Sequence, residues 1–392
     1  MDRVVALSRL AKLTPHQRAL LDKRIRGEIP SKSSAAKIPR RNDQSIAPLS
    51  LGQEAQWLLQ HLQPDNTVLN IFHALRVGRA LERAVLEQAL TEVARRHDIL
   101  RTNFRTIDGV PTQVIHPPEP VTVRMLDLSG LPASEREAEF VRWSRKRTVE
   151  PFDLAEGVLF RADLIRMATE DHVILFNLHH IICDGWSLGV LVRETTALYN
   201  AFAKDKPSPL PPLVVQYGDY AAWQRSKLQA DALVKQRAFW RERLAGAPAL
   251  TELPLDHPRP INRSFRGTRR GVSLDRQLVA RLRLLCQREQ TTLFIVIISA
   301  LASLIHRYSG ATDVILGTPV ANRGFREIEP LIGLFMNAAA FRFDLSGDPT
   351  FKDLLARVRT DAIEVFNNQD VPFESVLDEL GIRREKDRSS LF

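Results

Sequence analysis

The sequence predicts a mixed α/β protein of two lobes, and three observations support that fold class. The chain has 392 residues, more than one hydrophobic core usually organises, so two lobes of roughly 150–200 residues each are expected. Hydrophobic residues make up 44% of the chain and charged residues 26%, as in ordinary globular domains. Helical and strand-like periodicities alternate in both halves, which predicts an α/β sandwich in each lobe.

The first 46 residues differ from the rest in composition. Apolar residues at helical spacing predict helical structure over 4–26, and the stretch from Gly27 to Ala47, rich in Ser, Lys, Pro and Arg, is typical of a linker. The helical appendage is either a loosely packed lead-in or a contact element for a preceding protein. The predicted divisions are 1–46 for this helix and linker, 47–212 for the first lobe and 213–392 for the second.

The elements of each lobe follow from hydrophobic spacing and turn residues. In the first lobe the pattern predicts helices over 81–97, 134–147 and 187–203, a hairpin at Asp108-Gly109, and strands over 157–167 and 172–178. In the second lobe it predicts helices over 217–245, 275–289, 291–308 and 349–366, and strands near 268–274, 313–318 and 337–344.

Two adjacent histidines give the most informative segment of the chain. The apolar run from His172 to Asn177 predicts a buried strand that leads into His179 and His180. Asp184-Gly185 then turns the chain, and Ser187 can cap the helix that follows. Neighbouring residues on a strand point to opposite faces, so at most one of the two rings can face a cleft. An imidazole is thereby held at the mouth of a strand, a short loop away from a carboxylate.

The residues around the histidine pair argue against metal binding, cysteine catalysis and nucleotide chemistry. Zinc needs three or four converging ligands, whereas one histidine and Asp184 supply two. Cys183 lies on the same tight loop and is better explained as a small buried hydrophobe than as a nucleophile. The chain has no GxxxxGK[ST] or GxGxxG loop for a nucleotide. An imidazole without metal or nucleotide suits acyl transfer with histidine as general base, because its pKa near 6.5 is close to working pH.

The net charge of +9 has two explanations. The basic residues are mostly arginines interleaved with acidic residues along helices, which is typical of a solvated surface and gives no support for nucleic-acid binding. The alternative is a basic face for an acidic protein partner or a phosphate-bearing substrate arm.

The longest apolar run, Leu293 to Ile305, is too short to span a bilayer, and the N-terminus lacks a signal-peptide core. The two isolated cysteines fit a reducing cytoplasm.

Seven motifs, in order along the chain, resemble those of one protein family. The segment 178–187 resembles the HHxxxDG core of nonribosomal peptide synthetase condensation domains, members of the chloramphenicol acetyltransferase superfamily. One departure is Ala55, where the family usually has a bulky basic or amide side chain. The other segments that are similar to the family's motifs are Ser50–Trp57, Arg96–Phe104, Tyr217–Trp223, Gly317–Arg323, Ile332–Asn337 and Asn368–Glu374.

The resemblance implies a fold, an activity and partners. The implied fold has two chloramphenicol-acetyltransferase-like α/β sandwich lobes in a V-shaped pseudo-dimer, with the active site in a tunnel between them. The implied activity is that of an acyltransferase, in which the α-amine of an aminoacyl thioester attacks an acyl or peptidyl thioester to give an amide. Phosphopantetheine arms of donor and acceptor peptidyl carrier proteins would carry both substrates, so no intrinsic cofactor or metal is expected. Further implied partners are an adjacent adenylation domain and, through the N-terminal helix, an upstream synthetase.

The resemblance also assigns roles to particular residues. His180, the second histidine of the motif, would face the tunnel and accept a proton from the amine or position the amine. Gly185 would let the backbone approach the reacting centre and offer an N–H there. The residues implied to support them are His179, Asp184, Arg96, Arg101 and Asn337.

Two of the supporting roles carry specific expectations. Asp184 would point away from the substrate and pair with an arginine of the second motif, Arg96 or Arg101. Asn337 is either a polar residue of the tunnel lining or a satisfied amide at the end of a strand.

Alternatives within and beyond the family remain. The order Trp186-Ser187 favours a condensation domain over an epimerisation domain, and the retained histidines argue against heterocyclisation. The rival from another class is a noncatalytic docking platform for carrier proteins, against which the intact motif argues. A starter domain with a fatty acyl donor is the other alternative. In the family pattern further strands and a helix follow the segment at Arg388–Phe392, so the second lobe is expected to be truncated at its end.

Overall fold

A computed structural model describes residues 38–381 except 65–66, 229–230, 249–250, 252, 258–266 and 268–269. The predicted helix over 4–26 and most of the predicted linker lie outside the described residues. The described chain forms two compact units: residues 38–228 with 325–336, and residues 231–324 with 337–381. The predicted boundary after residue 212 lies elsewhere, because residues 213–228 and 325–336 pack into the first unit.

The first unit is built on a four-stranded sheet with helices on both faces. Its strand order is β2-β7-β6-β5, with β5 parallel to β6 and the other pairs antiparallel, and a smaller sheet has the order β1-β4-β3. The strands are β1 Ile46–Pro48, β2 Asn70–Val77, β3 Thr102–Ile107, β4 Val110–Ile115, β5 Val123–Asp127, β6 Phe160–Ala168 and β7 Asp171–His179. The helices are α1 Leu51–Leu62, α2 Arg83–Arg96, α3 Ala133–Thr148, α4 Gly185–Phe202 and α5 Tyr217–Leu228.

The central strand β7 explains why its sequence is almost continuously apolar. Ile174 and Phe176 point into the main core with α2 and α4, while Val173 and Leu175 pack in a second cluster beside Phe140 of α3. A strand covered on both faces has no solvent side, so apolar residues occupy successive positions rather than alternate ones. The predicted strands and helices of this part of the chain, and the hairpin at Asp108-Gly109, are confirmed to within a few residues.

The second unit combines one antiparallel strand pair with helices. Strand β8 pairs with β9 from Asp313 opposite Asp344 to Val320 opposite Asn337. Thr292 caps α8 by accepting a hydrogen bond from the Ile295 backbone N–H. The elements are α6 Asp231–Arg243, α7 Arg276–Arg288, α8 Leu293–Ser309, β8 Asp313–Val320, β9 Asn337–Asp344, α9 Phe351–Asn367 and α10 Phe373–Glu379.

Two predicted elements differ from the structure. The helix expected over 217–245 is present as α5 and α6, which belong to different compact units. The strand expected near 268–274 is absent over its described part, 270–274, where Val272 is 85% exposed. Alternating sequence alone does not form a strand that lacks a partner.

None of the described helices is by itself long and apolar enough to cross a membrane. Only the pair α7 and α8, bent by 102°, reaches that length and composition together.

Candidate active site

The two adjacent histidines lie at the end of β7 and differ in exposure. His179 is the last residue of the strand and is 1% exposed, whereas His180 opens a 3-10 turn and is half-buried. Their backbone N–H groups are both fixed, that of His179 by Leu159 O at 3.0 Å and that of His180 by Leu69 O at 2.7 Å. The loop therefore holds one ring inside the core and leaves the other half-buried.

His179 is a neutral structural ring. Its Nδ1 accepts a hydrogen bond from the Ile181 backbone N–H at 3.1 Å, so the ring proton lies on Nε2, which is 3.3 Å from Oε1 of Gln60. Burial, with a smaller contribution from the neighbouring His180, lowers the pKa of His179 to about 3. At neutral pH this imidazole carries no charge and anchors the turn.

His180 has no comparable constraint on its ring. Its Nδ1 is buried and has no hydrogen-bond partner among the residues that the structure describes. The protein therefore does not fix which ring nitrogen carries the proton. A half-buried imidazole of this kind can either accept a proton or donate a hydrogen bond.

Asp184 is an anchor for backbone amides. Its side chain is buried, and Oδ1 accepts from the backbone N–H of Ser187 at 2.8 Å and from the Ser187 hydroxyl at 2.7 Å. Its Oδ2 accepts from the backbone N–H groups of Phe335 at 3.0 Å and Met336 at 3.2 Å. The residue that caps α4 is thus Asp184, and the prediction that Ser187 is the cap is wrong, because the helix begins two residues earlier at Gly185.

The expected pairing of Asp184 with Arg96 or Arg101 is also wrong. Arg96 makes two contacts with the carboxylate of Glu194, at 3.2 and 3.3 Å, and Arg101 pairs with Asp98. Each arginine has a carboxylate close by in space that the sequence pattern did not single out. Arg96 and Arg101 thus stabilise the first unit through these pairs.

Glu194 joins the second motif to α4. His97, 1% exposed, lies with Nε2 at 2.9 Å from Glu194, and its Nδ1 accepts from the Ile332 backbone N–H at 3.2 Å. Burial lowers the pKa of His97, so the ring is neutral and donates from Nε2. Burial raises the pKa of Glu194, but the bonds from His97 and Arg96 outweigh it and leave that pKa below its ordinary value. The cluster is an ionised Glu194 held by Arg96 and a neutral imidazole.

Gly185 begins α4 directly after the capping aspartate. It is exposed, and a Cβ at this position would meet nothing within 4 Å. As the first helical residue, its N–H has no acceptor within the helix. The backbone here is open to close approach by another molecule, which is the property that the resemblance assigned to Gly185.

Side chains from residues 97–217 bind the backbone of residues 329–336, which we call the return segment. Tyr217 donates its hydroxyl to Leu334 O at 2.7 Å, and a Cβ on Gly333 would lie 2.0 Å from the Tyr217 ring. The other backbone contacts are Trp186 Nε1 to Glu329 O at 3.0 Å, Ser187 Oγ with Gly333 O at 2.8 Å and Gly333 N at 3.0 Å, and the bonds of His97 and Asp184 given above.

The opening motif, Ser50–Trp57, binds both the 3-10 turn after His180 and the residue Tyr217. Ser50 and Gln53 form a capping box at the start of α1, which is the signature of their spacing. Gln53 also donates to Ile181 O at 3.1 Å, and the Ser50 hydroxyl lies 2.8 Å from that of Tyr217. Sequence reasoning noted these residues as motif members but did not find the contacts, since spacing predicts local caps and not partners distant in sequence.

Asn337 in the second unit is fully hydrogen-bonded. Its Nδ2 donates to Gln369 O at 2.8 Å and to Val371 O at 2.7 Å, while Oδ1 accepts from the backbone N–H groups of Ala338 at 2.9 Å and Phe373 at 3.1 Å. These contacts use both donors and both acceptor positions of the amide. Of the two predicted roles, the satisfied amide at the end of a strand is the one that these bonds support.

Comparisons with known proteins assign the chain to a family. Residues 43–392 match the condensation domain family. Over 366 residues the chain is 44% identical to one of the proteins that make up the linear gramicidin synthase of Brevibacillus parabrevis, an alignment that covers 93% of this chain and 7% of that protein. The chain therefore spans a small fraction of this relative's length.

Two solved structures resemble the described fold. The complex of the X-domain and OxyB from teicoplanin biosynthesis has a TM-score of 0.80 at 30% identity, covering 92% of this chain and 79% of that chain. The first condensation domain of the calcium-dependent antibiotic synthetase, in complex with a substrate analogue, has a TM-score of 0.76 at 22% identity, covering 88% and 78%. The chain thus belongs to the condensation domain family, and the resemblance to the condensation domains of nonribosomal peptide synthetases that its motifs indicated is confirmed.

Proposed function

We propose that this chain forms an amide bond between two substrates that are carried as thioesters. The observation that supports the proposal most is the contrast at the end of β7: His179 is sealed and neutral, while His180 is half-buried on a fixed backbone. Because the backbone is already fixed, the imidazole loses little conformational entropy when the substrates bind. This is the basis of catalysis by positioning.

In the proposed reaction the α-amine of the acceptor attacks the carbonyl carbon of the donor thioester. A C–N bond forms, the C–S bond breaks, and the thiol leaves with the proton that the amine loses. His180 would accept that proton or hold the amine in line with the carbonyl. Since an α-amine has a pKa near 8, a usable neutral fraction exists at pH 7.

The start of α4 supplies the second part of the proposed mechanism. Negative charge develops on the carbonyl oxygen during attack, and the N–H groups of a helix start are suited to stabilise it. Gly185 is exposed with open space at its Cβ position, so a substrate oxygen can approach its backbone.

The substrates and partners belong to the same proposal. The donor and acceptor would be presented by two peptidyl carrier proteins on phosphopantetheine arms, and an adjacent adenylation domain would load the acceptor. The donor would be either a peptidyl or aminoacyl group from an upstream synthetase or a fatty acyl starter. The cytoplasm is the proposed location. No resident cofactor is required, because the carrier thioester already activates the acyl group.

Reconstitution tests the proposal. An acyl-loaded and an aminoacyl-loaded carrier protein are incubated with the chain, and the arms are analysed by mass spectrometry. The expected product is the amide on the acceptor arm, formed by the wild type and by His73→Ala, a control histidine on β2. If the wild type gives no amide above the rate without protein, the proposal is wrong.

A second candidate function is recruitment of another protein without chemistry. It is favoured by the likeness to the X-domain, which was solved in complex with OxyB. A recruitment domain would bind its partner and give no amide with any loaded pair. Binding measured alongside product formation separates the two functions.

A further inference from the structure

The first unit contains a cavity that lies away from the histidine loop. It is open at one side, is lined by residues of α2, α4, β2 and β7, and has a volume of about 290 Å³. The lining residue of α4 nearest to Gly185 is Val192, seven residues further along the helix, which corresponds to about 10 Å along the helix axis. The cavity is therefore separate from the surroundings of His180.

The walls of the cavity are apolar and belong to the rigid sheet. Leu75 of β2 is the register partner of Ile174 of β7, so the two side chains share one face, and Phe176 follows on that face two residues later. Phe176 is completely buried and so is Leu86 of α2, which also lines the cavity. These walls suit a flat or branched apolar group.

A buried hydroxyl in the cavity lacks a partner. Thr195 is 4% exposed, and its Oγ1 has no hydrogen-bond partner among the residues that the structure describes. The next residue, Thr196, donates instead to the Val192 carbonyl at 2.7 Å, as threonines in helices commonly do. A buried hydroxyl without a partner is unfavourable, so the Thr195 hydroxyl is suited to a polar atom of a ligand.

A cation lies at the rim of the same cavity. Arg79 donates to Oδ1 of Asn200 at 3.0 Å, and its guanidinium lies 5.4 Å from the ring centroid of Tyr199. Among the described residues no carboxylate forms an ion pair with Arg79. The guanidinium is thus oriented by neutral groups and remains available to an anion.

We propose that this cavity binds a small carboxylic acid with an apolar body and a hydroxyl at the far end, of the para-hydroxyphenyl acid type. The carboxylate binds Arg79, the ring lies against Leu75, Ile174 and Phe176, and the hydroxyl bonds to Thr195. Thr195 and Asn200 are five residues apart, about 7.5 Å along the helix, a span that a para-substituted phenyl acid bridges.

Titration of the 392-residue chain with three probes tests the proposal: 4-hydroxyphenylacetate, phenylacetate and tyramine. We expect 4-hydroxyphenylacetate to bind about tenfold more tightly than phenylacetate, because a buried hydroxyl gains its partner, and tyramine not to bind, because it lacks the carboxylate. Isothermal calorimetry gives the affinities, and shifts of Thr195 and Tyr199 signals in NMR spectra locate the ligand.

Two variants and a control decide the roles of the polar groups. Arg79→Gln should weaken both acids about tenfold, and Thr195→Val should weaken 4-hydroxyphenylacetate to the level of phenylacetate without changing phenylacetate. Arg83→Gln, which removes an exposed arginine paired with Glu87, should change neither affinity. Failure of 4-hydroxyphenylacetate to bind the folded wild type at millimolar concentration would overturn the proposal, as would equal losses for both acids in Thr195→Val.

Discussion

Two chemically identical side chains, His179 and His180, differ in burial because β7 ends at His179 and a 3-10 turn begins at His180. The ring of His179 is inside the core, with both nitrogens in contact with hydrogen-bonding partners, while the ring of His180 is half-buried. Placing a charge in the core is costly, so burial removes the ability of His179 to take a proton near neutral pH. The two adjacent histidines therefore differ in burial and in the hydrogen bonds of their rings, one sealed in the core and the other half-buried.

The first prediction concerns His179 and pH. Its pKa is near 6.5 in the unfolded chain and about 3 in the folded protein, so between these values the unfolded state binds more protons and stability falls as pH falls. From pH 7.5 to pH 5 this group should remove about 2 kcal/mol from the free energy of unfolding. His179→Gln should lose correspondingly less over the same interval, measured by urea unfolding at both pH values. Parallel pH profiles for the two proteins would contradict the assignment.

The second prediction separates the function of Gly185 from its place in the fold. A Cβ at this exposed first helical residue meets no protein atom within 4 Å, so Gly185→Ala should change the free energy of unfolding by less than about 1 kcal/mol. If a substrate approaches this backbone, the added methyl group should lower turnover at least about tenfold. Unchanged turnover with unchanged stability would exclude close approach of substrate to Gly185.

The third prediction concerns Asp184. Asp184→Ala leaves three backbone N–H groups without their acceptor and removes the cap of α4, so the free energy of unfolding should fall by roughly 3–5 kcal/mol. The control is Asp153→Ala, an exposed aspartate that accepts from two backbone N–H groups, where the loss should stay below about 1 kcal/mol. Equal losses for both variants, by denaturant unfolding, would contradict the role of Asp184 as an anchor.

At the scale of the residue, the sequence predicted the position of the histidine pair but not the partners around it. The alternating direction of side chains along a strand was enough to expect different surroundings for His179 and His180. The acceptors of the Phe335 and Met336 amides could not be foreseen, because they join positions about 150 residues apart and no spacing rule relates them. For the same reason Arg96 was assigned to Asp184 rather than to Glu194.

At the scale of the element, the return segment is the feature that shapes the site. It is held without a neighbouring strand, since the side chains of His97, Ser187 and Tyr217 bind its backbone groups one by one. Such binding requires close contact, and Gly333 provides it because no other residue leaves room for the Tyr217 ring. The motif that begins at Ile332 therefore has a packing role that its spacing does not reveal.

The fourth prediction tests that contact. Gly333→Ala would place a methyl group within 2.0 Å of a ring carbon of Tyr217, so the segment must shift and the free energy of unfolding should fall by about 3 kcal/mol. Gly189→Ala, inside α4 with no atom within 4 Å of the new Cβ, should stabilise the protein by up to about 1 kcal/mol. Thermal unfolding measures both, and a neutral Gly333→Ala would show that the return segment is not held as described.

Hydrophobic spacing predicted most helices and strands, because an element buried on one face has periodic apolar positions and the strand β7, buried on both faces, has a continuous apolar run. The predictions failed where the local sequence pattern does not determine which other elements a segment packs against. The helix expected over 217–245 is divided between two compact units, and the strand expected near 268–274 has exposed apolar residues over its described part. Neither outcome follows from the residues of those segments, because both depend on which other elements lie beside them.

At the scale of the whole molecule, the motifs sort into the two compact units. The opening motif, the second motif, the HHxxxDG loop, the motif at Tyr217 and most of the motif at Ile332 belong to the first unit, where they contact one another. Asn337 and the motif at Asn368 belong to the second unit, and Asn337 binds the turn of residues 369–373 there. Six of the seven short segments thus build two local structures, and the remaining one, Gly317–Arg323, lies on and just after β8 of the second unit.

The central claim is that His180 carries the chemistry of amide formation, and the single-turnover rate of His180→Ala tests it most directly. The wild type and the variant are mixed with both loaded carrier proteins at pH 7, and amide on the acceptor arm is followed by quenched-flow mass spectrometry. We expect the variant to be about 10²–10⁴-fold slower with an unchanged melting temperature. A variant that folds normally and forms amide at the wild-type rate would contradict the claim.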